Sequence, residues 1–112
     1  YAFSFNVVFA TAISTTGLKI GMTFPGVSTF GCTVRIPIAA DGTGAGFQGW
    51  ITASGDTVIG TAVQAASTQY CAEVIGVINP SSAGTLQLTY GTEVAGSAVS
   101  TFAGSYGILT TL

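Results

Sequence analysis

The residues of this chain that could carry chemistry are few and scattered. The sequence has no histidine, two basic residues and four acidic residues, so the commonest general base and the Ser-His and Cys-His nucleophile pairs are absent. A pair of carboxylates can hydrolyse glycosides, but Asp41 and Asp56 lie in Gly-rich turns that favour Asp for backbone reasons. No catalytic motif surrounds Glu73 or Glu93. The sequence therefore predicts a protein without enzymatic activity.

Ligand sites for metals and phosphate have little support in the sequence. Asp41 and Asp56 could hold calcium together with main-chain carbonyls, but their spacing is not that of an EF-hand. Residues 41–46 are Gly-rich, yet they lack the Gly-Lys-Ser/Thr ending of a phosphate loop and therefore indicate a tight turn. Cys32 and Cys71 alone cannot complete a zinc site. They are either a candidate disulfide or two small apolar side chains, and no cofactor is predicted.

Alternation of apolar and polar residues predicts strands throughout the chain. In residues 1–9 the aromatic side chains share one parity, which places them on one face of an extended backbone. Gly-based turns separate further alternating segments, of which the clearest are residues 18–24, 32–38, 70–78 and 86–90. About eight strands without a convincing helix predict an antiparallel β-sandwich or jelly roll, in a single domain spanning residues 1–112.

The shortage of charge is the strongest compositional feature. Charged residues make up 5% of the chain, against about 25% in ordinary soluble domains. Residues 70–78 are apolar on both parities, which predicts a central strand covered on two sides. Glu73 in that strand has three possible surroundings: an interface with another copy, a basic neighbour such as Arg35 or Lys19, or solvent at the end of the strand. A surface with so few charged residues is easiest to explain if copies of the chain cover one another.

Two classes of partner are disfavoured by the same composition. The net charge of -2, without a basic cluster, argues against nucleic acid because phosphate binding needs clustered Lys and Arg. No apolar run approaches the roughly 18 residues of a membrane-spanning helix, since Gly, Thr and Ser interrupt every stretch. We therefore expect neither nucleic acid nor a membrane as a partner.

Two aromatic residues near the middle of the chain, Phe47 and Trp50, are candidates for interface or ligand contacts. Trp is frequent at subunit interfaces and in glycan sites, whereas packing inside a small domain is its commoner role. The alternation around Trp50 does not decide which side of the strand it occupies.

Short runs of small and turn residues recur along the chain. In the last third they are Gly-Thr-Leu-Gln-Leu at 84–88, Thr-Glu-Val-Ala-Gly-Ser-Ala-Val at 92–99 and Ala-Gly-Ser at 103–105. Earlier runs are Phe-Asn-Val-Val-Phe at 5–9, Thr-Ala at 11–12, Thr-Thr-Gly-Leu at 15–18 and Ala-Ala-Ser-Thr-Gln-Tyr at 65–70. Together these runs resemble a β-domain that recurs in the virion proteins of tailed bacteriophages.

The resemblance implies a non-enzymatic tail-fibre, tail or head-decoration component of a symmetric particle. The expected location is the virion, and the expected partners are copies of the chain, which we take to form a homotrimer, and other virion proteins. One alternative is a receptor-binding domain that recognises host glycans through Phe47 and Trp50. A second is a secreted filament in which residues 1–9 of one copy add a strand to the sheet of the next.

Overall fold

The computed structural model describes residues 1–39 and 45–112, so most of the Gly-rich segment at 41–46, including Asp41, lies outside the described residues. The described residues fold as antiparallel strands without a helix, which confirms the all-β prediction. The strands, one more than the expected eight, are β1 (Ala2–Thr11), β2 (Leu18–Thr23), β3 (Val27–Pro37), β4 (Gly46–Ile51), β5 (Thr57–Ile59), β6 (Tyr70–Pro80), β7 (Gln87–Thr92), β8 (Val99–Thr101) and β9 (Tyr106–Thr110).

The strands form two sheets that pack as a β-sandwich. The larger, six-stranded sheet has the order β4-β3-β6-β1-β8, and β9 also pairs with β1. The smaller sheet has the order β5-β2-β7. A single apolar core joins the two sheets, as expected when each sheet has one apolar face to bury.

Strand β1 is paired along both of its edges. Strand β6 occupies one edge, whereas β9 and β8 share the other, β9 against Ala2–Asn6 and β8 against Phe9–Thr11. Between these two partners the Val8 amide donates a hydrogen bond to Ser105 Oγ at 3.0 Å. The filament alternative requires residues 1–9 to add to the sheet of another copy, whereas here both edges of β1 are paired within the chain.

The core is built from the alternation seen in the sequence. Phe3, Val7 and Phe9 of β1 are buried, and the ring centroid of Phe9 lies 5.7 Å from that of Tyr70. The fully buried side chains of the smaller sheet that face them are Leu18, Ile20 and Met22. Removal of this apolar surface from water stabilises the fold by about 25 cal/mol per Å².

Strand β6 is central, as predicted, but only one of its faces is covered. Tyr70, Ala72 and Val74 are buried against the core, whereas Ile75 and Val77 on the opposite face are 51% and 43% exposed. The prediction of cover on both sides is wrong for the single chain, since the smaller sheet packs against only one face of the larger. The exposed face of β6 is part of the surface described below.

Three turns share one backbone geometry. In each, a glycine at the third position has a positive φ, and the amide of the fourth residue donates to the carbonyl of the first. Glycine suits this position because it adopts positive φ without the steric cost of a Cβ. The glycines of the three turns are Gly55 (φ 96°), Gly96 (φ 84°) and Gly104 (φ 100°).

Candidate interaction surface

The side of the six-stranded sheet that faces away from the smaller sheet is broad and open to solvent, and we call it the outer face. Strand register aligns its side chains in rows across the strands β4, β3, β6, β1 and β9. The central row is Trp50, Thr33, Ile75, Ser4 and Ile108. The next row towards one end is Gln48, Arg35, Glu73, Asn6 and Tyr106, and the row towards the other end is Gly31, Val77, Ala2 and Thr110.

Large apolar side chains are exposed at the centre of this face. Trp50 is 70% exposed, Ile108 52%, Ile75 51% and Val77 43%. Three of them, Ile75, Val77 and Ile108, line a shallow groove that runs over β6, β1 and β9 beside Ala2 and Ser4. A contiguous exposed apolar area of this kind marks an interaction site more often than a free surface.

Two opposite charges lie beside the apolar row. Arg35 and Glu73 are register partners on β3 and β6, and among the described residues they are the only charged side chains of the outer face. Of the alternatives left open by the sequence, the neighbour of Glu73 is therefore Arg35, since Lys19 lies on β2 in the other sheet.

A concave region of about 290 Å³ adjoins this charge pair. Its polar lining consists of the guanidinium of Arg35, the carboxyl of Glu73, the amide of Gln48 and the thiol of Cys71. These groups can donate and accept hydrogen bonds, and Glu73 is the only carboxylate among the described residues that line the region.

The two candidate aromatic residues lie on opposite sides of β4. Phe47 pairs with Ile36 and packs half-buried against the core, whereas Trp50 pairs with Thr33 and projects from the outer face. The structure therefore does not bring Phe47 and Trp50 together into one aromatic site. Trp50 alone remains accessible to a ligand or a partner.

The two cysteines are free thiols and lie far apart. Cys32 is buried and pairs with Gly76 of β6, whereas Cys71 is exposed and lies five residues before Gly76 in that strand. Five residues of strand span about 16 Å, and a disulfide needs Cα atoms within about 7 Å. The bridge considered from the sequence is thus not formed within the chain. Burial raises the pKa of the Cys32 thiol to about 11.

The carboxyl of Asp56 stabilises a turn. Its Oδ2 accepts hydrogen bonds from the amide of Ala53 at 2.8 Å, the amide of Thr52 at 3.2 Å and the hydroxyl of Thr52 at 3.3 Å. These bonds, that of Ala53 foremost, lower the pKa of Asp56 from its ordinary value. The carboxyl thus has a local structural role, and its proposed calcium partner Asp41 lies outside the described residues.

Neither a metal cluster nor a membrane-spanning helix is present in residues 1–39 and 45–112. In these ranges no three His, Cys, Asp or Glu side chains lie close enough together to share a metal ion. The same ranges contain no helix with the length and apolarity needed to cross a membrane.

Ile75, Val77 and Ile108 were not predicted from the sequence as surface contact residues. The signal for the first two was present, since residues 70–78 are apolar on both parities and only one parity can face the core of a two-layer fold. Ile108 gave no such signal, because its place in the row depends on the pairing of β9 with β1, which is not a local property.

Comparison with known proteins finds no match to this chain among protein families, curated proteins or solved structures. The class is therefore defined by the fold and the surface: an antiparallel β-sandwich whose larger sheet presents an apolar, sparsely charged outer face.

Proposed function

We propose that this protein is a non-enzymatic structural subunit of a tailed-bacteriophage virion, where it serves as a capsid decoration or a tail-fibre module. In this role it assembles with copies of itself and with other virion proteins. The phage assignment comes from the sequence resemblance at residues 84–88, 92–99 and 103–105. The assembly role is supported by the outer face, whose central row exposes Trp50, Ile75 and Ile108.

The outer face supports assembly because its apolar side chains are exposed to water, which is energetically unfavourable. Each Å² of apolar surface removed from water contributes about 25 cal/mol, and interface cores are depleted in charge just as this face is. Only Arg35 and Glu73 interrupt it with charge among the described residues. A second protein surface is the simplest cover for such a face.

Light scattering coupled to size exclusion tests self-assembly. The chain has a mass of 11.2 kDa, and we expect a mass that is a multiple of this value at micromolar concentration. A stable monomer at that concentration would contradict the proposal. Negative-stain images of the same sample add a second criterion: closed symmetric particles support it, whereas open helical polymers favour a filament subunit.

The exposure of Trp50 supports a second candidate function, recognition of a host glycan. An indole that is 70% exposed on a rigid strand can stack on a sugar ring. Glycan-array binding by the wild type that is lost in Trp50→Ala would support this function. Tyr90→Ala is the matched control, because Tyr90 is 52% exposed on the smaller sheet, away from the outer face. Equal loss in both variants, or no binding by the wild type, would exclude it.

A further inference from the structure

We infer that the outer face binds the outer face of a second copy across a two-fold axis that runs along the strands, midway between β3 and β6. This inference rests on the self-assembly proposed above and names the contact that makes it. Such an axis places each residue of β3 opposite its own register partner on β6 of the other copy. The intrachain register therefore determines which side chains meet.

The pairs generated in this way are complementary. Gly31 meets Val77, Thr33 meets Ile75 and Arg35 meets Glu73, each contact occurring twice because the axis exchanges the two copies. In the first two pairs a small side chain lies opposite a large exposed one, so the two faces can approach closely. In the third, both charges of the face find an opposite charge. The face is thus complementary to itself, as a two-fold contact requires.

The charges decide between this axis and its nearest alternative. An axis between β6 and β1 would place Glu73 opposite Asn6, its register partner on β1, and would leave Arg35 opposite a residue of β9. Neither charge would then have a charged partner in the other copy. Each charge keeps its intrachain neighbour under either axis, but only the axis between β3 and β6 adds an opposite charge from the other copy. That added charge helps to offset the desolvation of both ions, so the axis between β3 and β6 is favoured.

The size of the face is sufficient for a stable contact. β3 and β6 each have 11 residues, a length of about 36 Å. The axis opposes four strands, since β4 lies over β1 of the other copy and β9 has no strand opposite it. Because β4 has only six residues, the opposed area is on the order of 550 Å² per copy. The total of about 1,100 Å² exceeds the roughly 1,000 Å² expected of a biological interface. Two sheets packed face to face at about 10 Å are also a standard arrangement in β-proteins.

A two-fold contact gives an even number of copies. The unit that it predicts is a dimer of two 11.2 kDa chains, that is, 22.4 kDa. This differs from the homotrimer expected from the sequence, unless trimers made through another surface are joined in pairs.

Charge reversal with complementary mixing tests the pairing of Arg35 with Glu73. Arg35→Glu alone sets two acidic residues opposite two acidic residues, and Glu73→Arg alone sets basic opposite basic. We expect each variant to dimerise about 100-fold more weakly than the wild type. The reason is that the dimer would bring like charges together at two places in the interface. An equimolar mixture should regain the dimer, since every contact between the two different chains joins opposite charges.

The mixture separates contacts between copies from contacts within a chain. Arg35 and Glu73 are also neighbours inside each chain, and that intrachain repulsion persists in the mixture, so any regained dimer must come from the contact between copies. Circular dichroism verifies that both variants are folded. Lys19→Glu, with the same change of charge on β2 of the other sheet, should dimerise like the wild type. A mixture as weak as the separate variants would overturn the inference.

Gly31 provides a test that does not involve charge. A Cβ at Gly31 would meet only Val77 Cγ2 within 4 Å, at 4.0 Å, so the single chain has room for a side chain there. Gly31→Leu should therefore fold normally but lose the dimer, because leucine occupies the space needed by Val77 of the other copy. Gly91→Leu is the matched control, since its Cβ would meet only Lys19 Cε at 3.7 Å on the smaller sheet. A dimer that survives Gly31→Leu would contradict the inference.

The two proposals fail in different ways. If the wild type assembles and neither the charge variants nor Gly31→Leu change its mass, the outer face is not the contact, and self-assembly through another surface stands. If the wild type is a monomer at micromolar concentration, the self-assembly itself is refuted, and this inference with it.

Discussion

The ring of Phe3 lies directly against Gly76, its register partner on β6. A Cβ at Gly76 would overlap Phe3 Cζ and the carbonyl oxygen of Gly31, so only glycine leaves room for the ring. Phe3 also stacks on Phe30 at a centroid distance of 5.9 Å and contacts Phe5 at 6.1 Å. The missing side chain of Gly76 thus makes space for the centre of an aromatic cluster.

Gly76→Ala should destabilise the protein by roughly 1 to 3 kcal/mol, the usual effect of overpacking a core. The added methyl group must displace either the Phe3 ring or the strand that carries Gly31. Urea unfolding followed by circular dichroism measures the change. Gly91→Ala on the smaller sheet is the control, and we expect it to stay within about 0.5 kcal/mol of the wild type because its Cβ meets only Lys19 Cε, at 3.7 Å. Equal effects of the two substitutions would contradict this packing.

Tyr70→Phe should cost about 1 kcal/mol, the net value of a hydrogen bond. The buried hydroxyl of Tyr70 accepts a hydrogen bond from the Ala65 amide at 3.0 Å and donates one to the Ala65 carbonyl at 3.4 Å, so it fixes the segment before β6. Thermal unfolding of the variant measures the loss. Tyr106→Phe, at a tyrosine that is 54% exposed, should leave the melting temperature unchanged. A Tyr70→Phe variant with the melting temperature of the wild type would show that the hydroxyl does not stabilise the fold.

Asp56→Asn should lower stability near neutral pH and have little effect in acid. Hydrogen bonds from the amides of Ala53 and Thr52 hold the pKa of Asp56 below its ordinary value of 3.8. Because the folded pKa is below the unfolded one, ionised Asp56 stabilises the fold above about pH 4, and this contribution is lost as the pH falls through the folded pKa. Urea midpoints of wild type and variant should therefore differ near neutral pH and converge at acid pH. A constant difference would rule out the carboxylate as its source.

The two thiols should react at very different rates with a disulfide reagent such as DTNB. Cys71 is exposed, whereas burial raises the pKa of Cys32 to about 11, which leaves about one molecule in a thousand as thiolate at pH 8. We expect one fast thiol per folded chain and two in urea. The Gly31→Leu variant is the suitable sample, since self-association would cover Cys71 on the outer face. Two fast thiols in the folded chain would show that Cys32 is accessible.

Local alternation was sufficient to predict the elements that form the core. In β1 and β2 the apolar residues of one parity face the core: Phe3, Val7, Phe9, Leu18, Ile20 and Met22 are buried between the sheets, and Phe5 is partly buried. Pro37, whose backbone has no N–H to donate to a neighbouring strand, is the last residue of β3. These features depend only on neighbours in the sequence, so they could be seen without knowledge of the fold.

Features that depend on distant partners could not be predicted. β3 begins at Val27 rather than at residue 32 because its first residues pair with the end of β6, as Val27 does with Pro80. β5 ends at Ile59 because the chain then leaves the sheet, and the Val63 amide donates to the Ser14 carbonyl at 2.9 Å. The rows of the outer face likewise follow from register between strands far apart in sequence.

The placement of β1 also has a consequence for synthesis on the ribosome. β1 leaves the ribosome before its partners, of which β6 begins at Tyr70 and β9 ends at Thr110. At about 5 to 20 residues per second, translation takes about 5 to 20 s to supply the last of them. During that time Phe3 and Phe9 have no sheet to bury them, so a nascent chain of this protein is expected to bind chaperones and to fold only after β9 has emerged.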